Sequence, residues 1–465
     1  MFNKSRVGIH AAVVAGSVLV CGVLPEASAD VGVQLRASES PNSPYGETVE
    51  LYSKSYALVI GIDDYTDGWP RLSNAVKDAR AVADALTKRG FDVTLGLNLN
   101  SRDMKEAFER ACVLSAGLGE STKEIQAISG LWGHYWMRAR HDRALELGKM
   151  LLVKAEPLDD PVPLIVGNRA LGSTLFTLGD FVSAREHLEQ ALSLSRQATA
   201  EDLSSSYAVN PQIAARLMLG WDLWILGYPD QALDHVRQAF EEATDLAHPY
   251  SVAFTHYVTS AIHLLRGEPR DSIVHADRSL EISREHRINL YAIYSRFGRG
   301  CALAEMSRPD DAISEIQGGI EEARRSNLGY MRGFMLGWLA SVLAETGERE
   351  AAMATVDDAI KGTDDVSGRA WESELHRLRG TILLAAHVGV HDDSERCFNK
   401  AIAVARRQGA RSLELRATTE LSRLWQGQGK TRQARDLLAP VHDWFTEGLD
   451  TADLKEAKAL LEDLS

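Results

Sequence analysis

The sequence of 465 residues contains only four cysteines. Cys21 lies in an N-terminal apolar segment, and the other three, Cys112, Cys301 and Cys397, are too few and too scattered for a disulfide framework. No paired-cysteine motif and no HExxH motif is present, and the fourteen histidines are spread along the chain. We therefore predict no metal ligands and no cofactor, and a phosphate-binding Walker loop is also missing from the sequence.

Positive charge is also scarce. Lysine and arginine total 51 against 65 acidic residues, which gives a formal net charge of −14. Nucleic acid and anionic membrane surfaces repel such a chain, so neither is expected as the main partner. The hydrophobic share of 45% and the charged share of 25% are ordinary for a soluble globular protein.

The first 29 residues have the pattern of a secretory signal peptide. Lys4 and Arg6 precede an apolar stretch over residues 7–24, and Ala27-Ser28-Ala29 forms a cleavage site. Export to the periplasm or the medium is predicted, with an uncleaved membrane anchor as the alternative. Residues 30–54 are rich in Ser, Pro, Asn and Glu and predict a disordered linker. No later apolar run reaches eighteen residues, so we expect no membrane contact beyond the signal segment.

A small α/β fragment is predicted over residues 55–110. Residues 56–61 form a short apolar run that ends at glycine, as buried parallel strands do. Apolar residues then recur at helical spacing over residues 72–89, and residues 91–95 predict a second strand. This order is a βαβ unit, with a further helix expected over residues 102–110.

A repeat of about 40 residues runs through residues 111–450. Small residues recur at spacings of 40, 48, 40, 40, 40, 42 and 40, namely at Ala144, Ala184, Ala232, Ser272, Ala312, Ala352, Ser394 and Ala434. A turn with Gly or Pro precedes most of them, and an apolar residue follows eight positions later, as at Leu152 and Leu192. These features predict a mostly α fold, a solenoid of about eight helical hairpins, because single hairpins cannot bury their apolar faces alone. Residues 451–465 predict a final capping helix that begins at Thr451.

The repeat region resembles tetratricopeptide repeats, in the form found at the C-terminal end of bacterial cyclase and predicted-ATPase regulators. The residues that carry the resemblance are 130–132, 169–176, 221–233, 247–254, 412–416 and 444–454. No cyclase or ATPase module precedes the array here, so the resemblance implies a binding role without either activity.

Residues 56 to about 110 resemble the opening of a caspase-like, metacaspase-type peptidase domain. The matching residues are 56–61, Tyr65, 72–79, Leu86 and 90–94. Such a domain needs a histidine base and a cysteine nucleophile about fifty residues later. His134 lies in the first repeat, Cys112 precedes it, and Ala184 stands where a nucleophile is wanted. We therefore predict a truncated caspase-like fragment without catalytic residues.

Three further groups of residues have simple structural explanations. Eight tryptophans lie mostly on helical apolar positions and predict core packing rather than binding platforms, namely Trp132, Trp136, Trp221, Trp224, Trp338, Trp371, Trp425 and Trp444. Asp63-Asp64 predicts an exposed turn rather than a cation site. Arg406, Arg407, Arg411 and Arg416 form a basic cluster that could hold an acidic peptide or could be ordinary helix-surface charge.

Three functions remain open. The first is a non-catalytic scaffold that binds a protein or peptide in the concave groove of the repeats. The second is a caspase-family cysteine endopeptidase that recruits substrates through the repeats, which requires His134 and Cys112 to meet. The third is a regulatory subunit of a cyclase or kinase system, which requires residence in the cytoplasm. We favour the first, and neither the partner nor the oligomeric state follows from the sequence.

Overall fold

The computed structural model describes residues 19–21, 32–33, 49–50, 55–61, 75–88, 91–97, 101–118, 121–199, 203, 209–364, 368–386 and 391–465. The predicted cleavage site at Ala29, most of the predicted linker and Asp63-Asp64 lie outside the described residues. Two compact units are present, one up to Leu131 and one from Trp132 onwards apart from residues 205–207. Among the described residues, no helix is both long enough and apolar enough to cross a bilayer.

The first unit contains the predicted βαβ arrangement. Its elements are β1 (Leu19–Cys21), β2 (Gly32–Val33), β3 (Val49–Glu50), β4 (Ser55–Gly61), α1 (Ala75–Thr87), β5 (Phe91–Leu97) and α2 (Ser101–Leu118). β4 and β5 pair in parallel, as the sequence predicts, and Ser55 lies opposite Phe91. β1 pairs antiparallel with β4. Val59 packs with Ala79, Ala83 and Leu86 of α1 in a small core.

The second unit is built from consecutive helix pairs, which confirms the predicted solenoid. The first helices of the eight pairs are α3 (Ser121–Met137), α5 (Pro161–Leu178), α7 (Pro211–Leu226), α9 (Pro249–Leu265), α11 (Asn289–Glu305), α13 (Arg332–Glu345), α15 (Glu372–Ala386) and α17 (Arg411–Gly427). The second helices are α4 (His141–Ala155), α6 (Phe181–Ser195), α8 (Pro229–Leu246), α10 (Pro269–Glu285), α12 (Pro309–Arg325), α14 (Arg349–Asp364), α16 (His391–Gln408) and α18 (Thr431–His442), and α19 (Ala452–Asp463) follows.

The small residue that marks each repeat is the fourth residue of its second helix. All eight of these residues have no exposed surface, from Ala144 to Ala434. Only a small side chain allows the first helix to approach this closely. The residues seven positions later, such as Leu151, Ala191 and Ala239, are also fully buried. Position eight is only half-buried in most repeats, because seven residues come closer than eight to two complete helical turns.

Each hairpin turn that the structure describes at this point, seven of the eight, contains a residue with positive φ five positions before the small residue. Glycine supplies it at Gly179, Gly227, Gly267, Gly347 and Gly429. Ala139 and Ser307 adopt the same backbone conformation without being glycine. This left-handed residue ends the first helix and lets the chain reverse at once.

The one spacing of 48 residues reflects a longer connection rather than a longer helix. α6 ends at Ser195 and α7 begins at Pro211, whereas two residues separate α8 from α9. Within this connection Leu203 is buried. The helix lengths on either side stay within the range of the other repeats, so the extra residues leave the packing register intact.

The final helix has one apolar, buried face and one solvent-exposed face, as its sequence predicts. Leu454, Ala457 and Leu460 are buried, while Lys455 and Glu456 are exposed. Thr451 precedes α19 in an extended conformation, as expected of an N-cap, but its side chain does not cap the helix. Its hydroxyl instead donates a hydrogen bond to the carbonyl of Gly448 at 2.7 Å.

Candidate functional site

Aromatic rings from α3, α9, α11 and the turn before α13 pack against one another in the second unit. Tyr257 stacks on Tyr294 with ring centroids 5.7 Å apart, and Tyr330 meets Tyr294 edge-on at 5.2 Å. Trp136 then stacks on Tyr330 at 4.4 Å. Burial raises the pKa of the Tyr257 and Tyr294 hydroxyls well above the ordinary value. The face on which a concave groove was expected is therefore occupied here by the chain's own side chains.

A cavity of about 280 Å³ opens among the first helices of the later repeats. Its walls come from the C-terminal ends of α9 and α11, from α13, α15 and α17, and from α19. Five carboxylates and two guanidinium groups line it, namely those of Glu305, Glu374, Glu420, Asp453, Glu456, Arg377 and Arg416. The charged lining sets this cavity apart from the aromatic packing in the middle repeats.

Ion pairs tie most of these charges together. Arg377 contacts Glu374 at 2.8 Å and Glu420 at 3.3 Å. Arg416 contacts Asp453 at 2.7 Å and Glu374 at 3.5 Å, and its guanidinium lies 4.9 Å from the ring centroid of Trp224. Burial alone would raise the pKa of Glu374, but the charges and hydrogen bonds of the two arginines outweigh it and lower the pKa to about 2.

Other carboxyl groups at the cavity are shifted in the opposite direction. Desolvation by the surrounding protein raises the pKa of Glu305, although its side chain remains exposed to the cavity. Desolvation raises the pKa of Asp453 despite its contact with Arg416. Glu345 is not part of the lining, and desolvation and the charge of Glu305 raise its pKa. Arg423, which is outside the lining, contacts Glu420 at 3.2 Å and Glu456 at 2.5 Å. The five carboxylates still outnumber the three guanidinium groups, so a cationic group that enters the cavity would relieve their repulsion.

One wall of the cavity is aromatic. Phe334 packs against Trp371 with ring centroids 4.2 Å apart, and Trp338 meets Phe334 edge-on at 6.5 Å. Trp338 is only half-buried, so part of its ring is available to a ligand. Indole faces attract ammonium and guanidinium groups and also cover aliphatic chains. The wall and the carboxylates thus favour the same class of ligand.

The tryptophans mostly occupy the core positions that the sequence predicts. Five of the eight are buried, namely Trp132, Trp136, Trp221, Trp224 and Trp371. Trp338, Trp425 and Trp444 are half-buried, and only Trp338 and Trp371 line the cavity.

The predicted basic cluster does not form a single patch. Arg406 and Arg411 both contact Glu414, at 2.6 and 2.8 Å, and Arg407 contacts Glu372 at 3.2 Å. Arg416 points away from them into the cavity. Because every arginine of the cluster already pairs with a carboxylate of the chain, the exposed members are explained as helix-surface charge.

The two residues considered for a peptidase dyad lie on successive helices. Cys112 is half-buried on α2 in the first unit, and His134 is half-buried on α3 in the second. The His134 ring meets that of Tyr135 edge-on, with centroids 5.5 Å apart.

Sequence reasoning missed the cavity, although the array contains a signal for it. Eighteen positions before the marker residue, successive repeats carry Phe254, Tyr294 and Phe334, whereas the last repeat carries Arg416. Replacing an inner aromatic ring by a guanidinium places charge where the fourth, fifth and sixth repeats have ring packing. Aligning the repeats with one another would have singled out this residue.

Comparison with family models divides the chain in the same way. Residues 54–117 match the caspase domain, and residues 170–197 and 213–238 match tetratricopeptide repeats. An uncharacterized protein of Rhizobium meliloti (strain 1021) is 24% identical over 351 residues, or 73% of this chain. The aligned part is only 33% of that protein's length.

Solved structures similar to this chain include a Rap protein complexed with competence and sporulation factor, at 13% identity and a TM-score of 0.49, covering 74% of this chain and 98% of that one. NprR in complex with its cognate peptide NprX has 10% identity and a TM-score of 0.48, with 73% and 97% covered. A signal transduction ATPase with a tetratricopeptide repeat sensor from Pyrococcus horikoshii has 13% identity and a TM-score of 0.40, with 77% and 55% covered.

The parallel strands with their connecting helix, the successive helix pairs and the family matches agree along the chain. The resemblance to cyclase regulators stays a prediction. This chain joins an N-terminal fragment of a caspase domain to a following array of tetratricopeptide repeats.

Proposed function

We propose that this chain is a non-catalytic binding module whose repeats hold a short peptide by a basic side chain in the cavity between α9 and α19. The observation that carries the proposal is the cavity lining, in which five carboxylates outnumber two guanidinium groups beside an aromatic wall. An arginine or lysine side chain complements both features, because its charge meets the carboxylates while its stem covers Trp338.

The size of the cavity limits the ligand to a short segment. A volume of about 280 Å³ accommodates one or two side chains but not a helix. In the middle repeats the inner rings contact one another. A larger space of about 550 Å³ opens there between α10, α11 and α12, but no aromatic side chain lines it. We therefore place the binding site in a cavity at one end of the array rather than along the whole concave groove.

Calorimetric titration with capped pentapeptides tests the proposal. The peptides differ only at the central residue, which is Arg, Lys, Leu or Glu, with glycine and serine elsewhere. We expect the Arg and Lys peptides to bind the full-length chain and the Glu peptide to give no heat. Equal affinity for the Glu and Arg peptides, or no binding by any of them at millimolar concentration, would refute a basic-peptide site.

Two substitutions of the same kind locate the binding. Glu305→Gln removes one cavity carboxylate and should weaken the Arg peptide several-fold. Glu281→Gln removes an exposed carboxylate on α10, which is not part of the cavity lining, and should leave the affinity unchanged. An equal loss of affinity for the Arg peptide in both variants would indicate a non-specific effect of net charge.

The sequence of the caspase-like segment supports the proposal that the chain is not a peptidase. Residues 54–117 contain Cys112 but no histidine, so a histidine–cysteine pair cannot be formed within the matched segment. Peptide substrates cleaved after Arg, Lys or Asp should therefore show no turnover above background. Turnover that is lost in Cys112→Ala would instead establish the caspase-family endopeptidase alternative. The regulatory-subunit alternative would require a cyclase or kinase whose activity changes when the chain is added.

The place of action is proposed to be outside the cytoplasm. The basic start, the apolar stretch and the Ala27-Ser28-Ala29 site support export. Fractionation of cells that express the full chain, followed by N-terminal sequencing, should recover a periplasmic or secreted form that begins at Asp30. An intact N-terminus in the membrane fraction would establish the anchored alternative, and one in the cytoplasm would contradict export.

A further inference from the structure

A histidine departs from the repeat pattern at the end of α9. Nine positions before the marker residue, other repeats carry Leu175, Leu223, Leu303 and Leu343, whereas the fourth repeat carries His263. Leucine at this position suits an apolar helix contact. An imidazole there gives up that contact and brings a metal-binding or proton-binding group into the turn between α9 and α10.

Two carboxylates meet His263 in the turn. Nδ1 of His263 lies 2.6 Å from Oε2 of Glu268, and a carboxylate oxygen of Asp271 lies within 4.8 Å of both donor residues. The other oxygen of Glu268 accepts a hydrogen bond from Nε of Arg266 at 3.0 Å. Arg266 thereby orients Glu268 so that its second oxygen faces the imidazole.

Two more imidazoles stand beside this group. The ring of His275 stacks on that of His263 with centroids 5.5 Å apart, and its Nδ1 lies 3.0 Å from Nδ1 of His256. The His256–His275 pair has a simpler explanation, because Asn168 and His187 occupy the corresponding positions of the second repeat and also form a hydrogen bond. His275 is nonetheless placed to serve as a further nitrogen donor.

We propose that His263, Glu268 and Asp271 bind a divalent transition-metal ion of the zinc class, independently of the peptide cavity. One imidazole nitrogen and two carboxylate oxygens are donors that Zn²⁺ accepts in tetrahedral sites, with water or His275 in the fourth position. The ion would replace the proton shared between His263 and Glu268. Asp271 is exposed and the other two side chains are 16% and 31% exposed, so an ion can enter from solvent.

Titration of the untagged full-length chain with ZnCl₂ by calorimetry tests the site, and Co²⁺ absorption reports the coordination. We expect one equivalent to bind, with d–d bands typical of a four-coordinate nitrogen and oxygen site. His263→Leu should weaken binding at least about tenfold. This variant should fold, because it places in the fourth repeat the residue that four other repeats carry. Circular dichroism and the melting temperature verify that it does.

Asp271→Asn provides a second variant, which alters only an exposed side chain and should also weaken binding. His391→Gln is the matched control, since it removes an exposed histidine on α16 that is not a member of the cluster. The site is refuted when the wild-type chain takes up no Zn²⁺ or Co²⁺ at micromolar concentration. It is equally refuted when both variants bind the ion as tightly as the control.

Discussion

The carbonyl oxygen of Thr177 accepts a hydrogen bond from the backbone amide of Arg369 at 2.8 Å, although Arg369 lies 192 residues further along the chain. Met137 and Gly329 are joined in the same way at 2.8 Å, and the Ser412 hydroxyl donates to the carbonyl of Trp224 at 2.5 Å. The last-turn carbonyls of α3, α5 and α7 are thus capped by the chain segments that begin α13, α15 and α17. The second unit coils so that its later repeats contact its earlier ones.

The coil contact can be measured by comparing two glycines. Gly227 and Gly347 both have positive φ, at +97° and +87°. A Cβ at Gly227 would lie 2.6 Å from the Trp444 ring, whereas a Cβ at Gly347 would meet nothing within 4 Å. Backbone strain alone should lower the free energy of unfolding of Gly347→Ala by about 1 kcal/mol. In Gly227→Ala the new methyl group would also overlap the Trp444 ring, so the free energy of unfolding should fall by about 3 kcal/mol. Urea unfolding measures both, and equal losses would contradict contact between the coils.

Ser307 offers a stabilising change. It occupies the left-handed turn position, with φ of +59°, that glycine occupies in most repeats. Ser307→Gly removes this strain but gives the unfolded chain more freedom, so we expect a net gain of about 0.5 kcal/mol. Ser314→Gly, at an exposed position inside α12, should instead lower the free energy of unfolding by about 0.5 kcal/mol because glycine is a poor helix former. Thermal melts of the two variants should shift in opposite directions.

Glu374 should make the chain less stable in acid. Its carboxyl has a pKa of about 2 in the folded chain against an ordinary 4.5, because Arg377 and Arg416 overcome the effect of burial. A carboxyl group whose pKa is lower in the folded than in the unfolded chain stabilises the folded state at pH values above its unfolded pKa. This stabilisation is lost as the pH falls through the folded pKa of about 2. The free energy of unfolding of wild type should therefore exceed that of Glu374→Gln by about 2 kcal/mol more at neutral pH than near pH 3.

Urea titrations of wild type and Glu374→Gln at neutral pH and near pH 3 measure this difference. Glu281→Gln serves as the reference, since Glu281 is exposed on α10. The change with pH should be larger for Glu374→Gln than for this reference variant. A difference for Glu374→Gln that is the same at both pH values would contradict the ion-pair explanation.

Arg266 joins three parts of the second unit. Only 4% of its side chain is exposed, and it donates to the carbonyl of Pro229 at 2.9 Å and contacts Asp230 at 3.0 Å and Asp450 at 3.4 Å. Arg266→Met leaves these acceptors without the guanidinium, so we expect the free energy of unfolding to fall by about 3 kcal/mol. Arg423→Met, whose side chain is 44% exposed, should cost about 0.5 kcal/mol. Similar losses in both would show that burial of Arg266 has no special role.

The sequence predicts the helix pairs because their determinants are local. A small residue at the fourth position of each second helix and a left-handed turn residue five positions earlier lie within one hairpin, as at Gly179 and Ala184. The coil contacts and the cavity depend on residues from distant repeats. No periodic pattern pairs Thr177 with Arg369, and the charges of Glu305, Arg377 and Asp453 come from three different helices. Such contacts require the curvature of the array, which propensities do not encode.

The hydrogen bond between Thr177 and Arg369 also bears on how the array folds. A repeat protein in which only neighbours touch has mostly local contacts, so that its ends can unravel separately. Here the carbonyl of Thr177, in the last turn of an early helix, receives its hydrogen bond from a residue almost two hundred positions further along the chain. Closing loops of this length costs conformational entropy, which slows folding. When these contacts break, the early and the late repeats that share them lose hydrogen-bond partners together. We expect the second unit to melt as a single cooperative body, with slow refolding for a helical protein of its size.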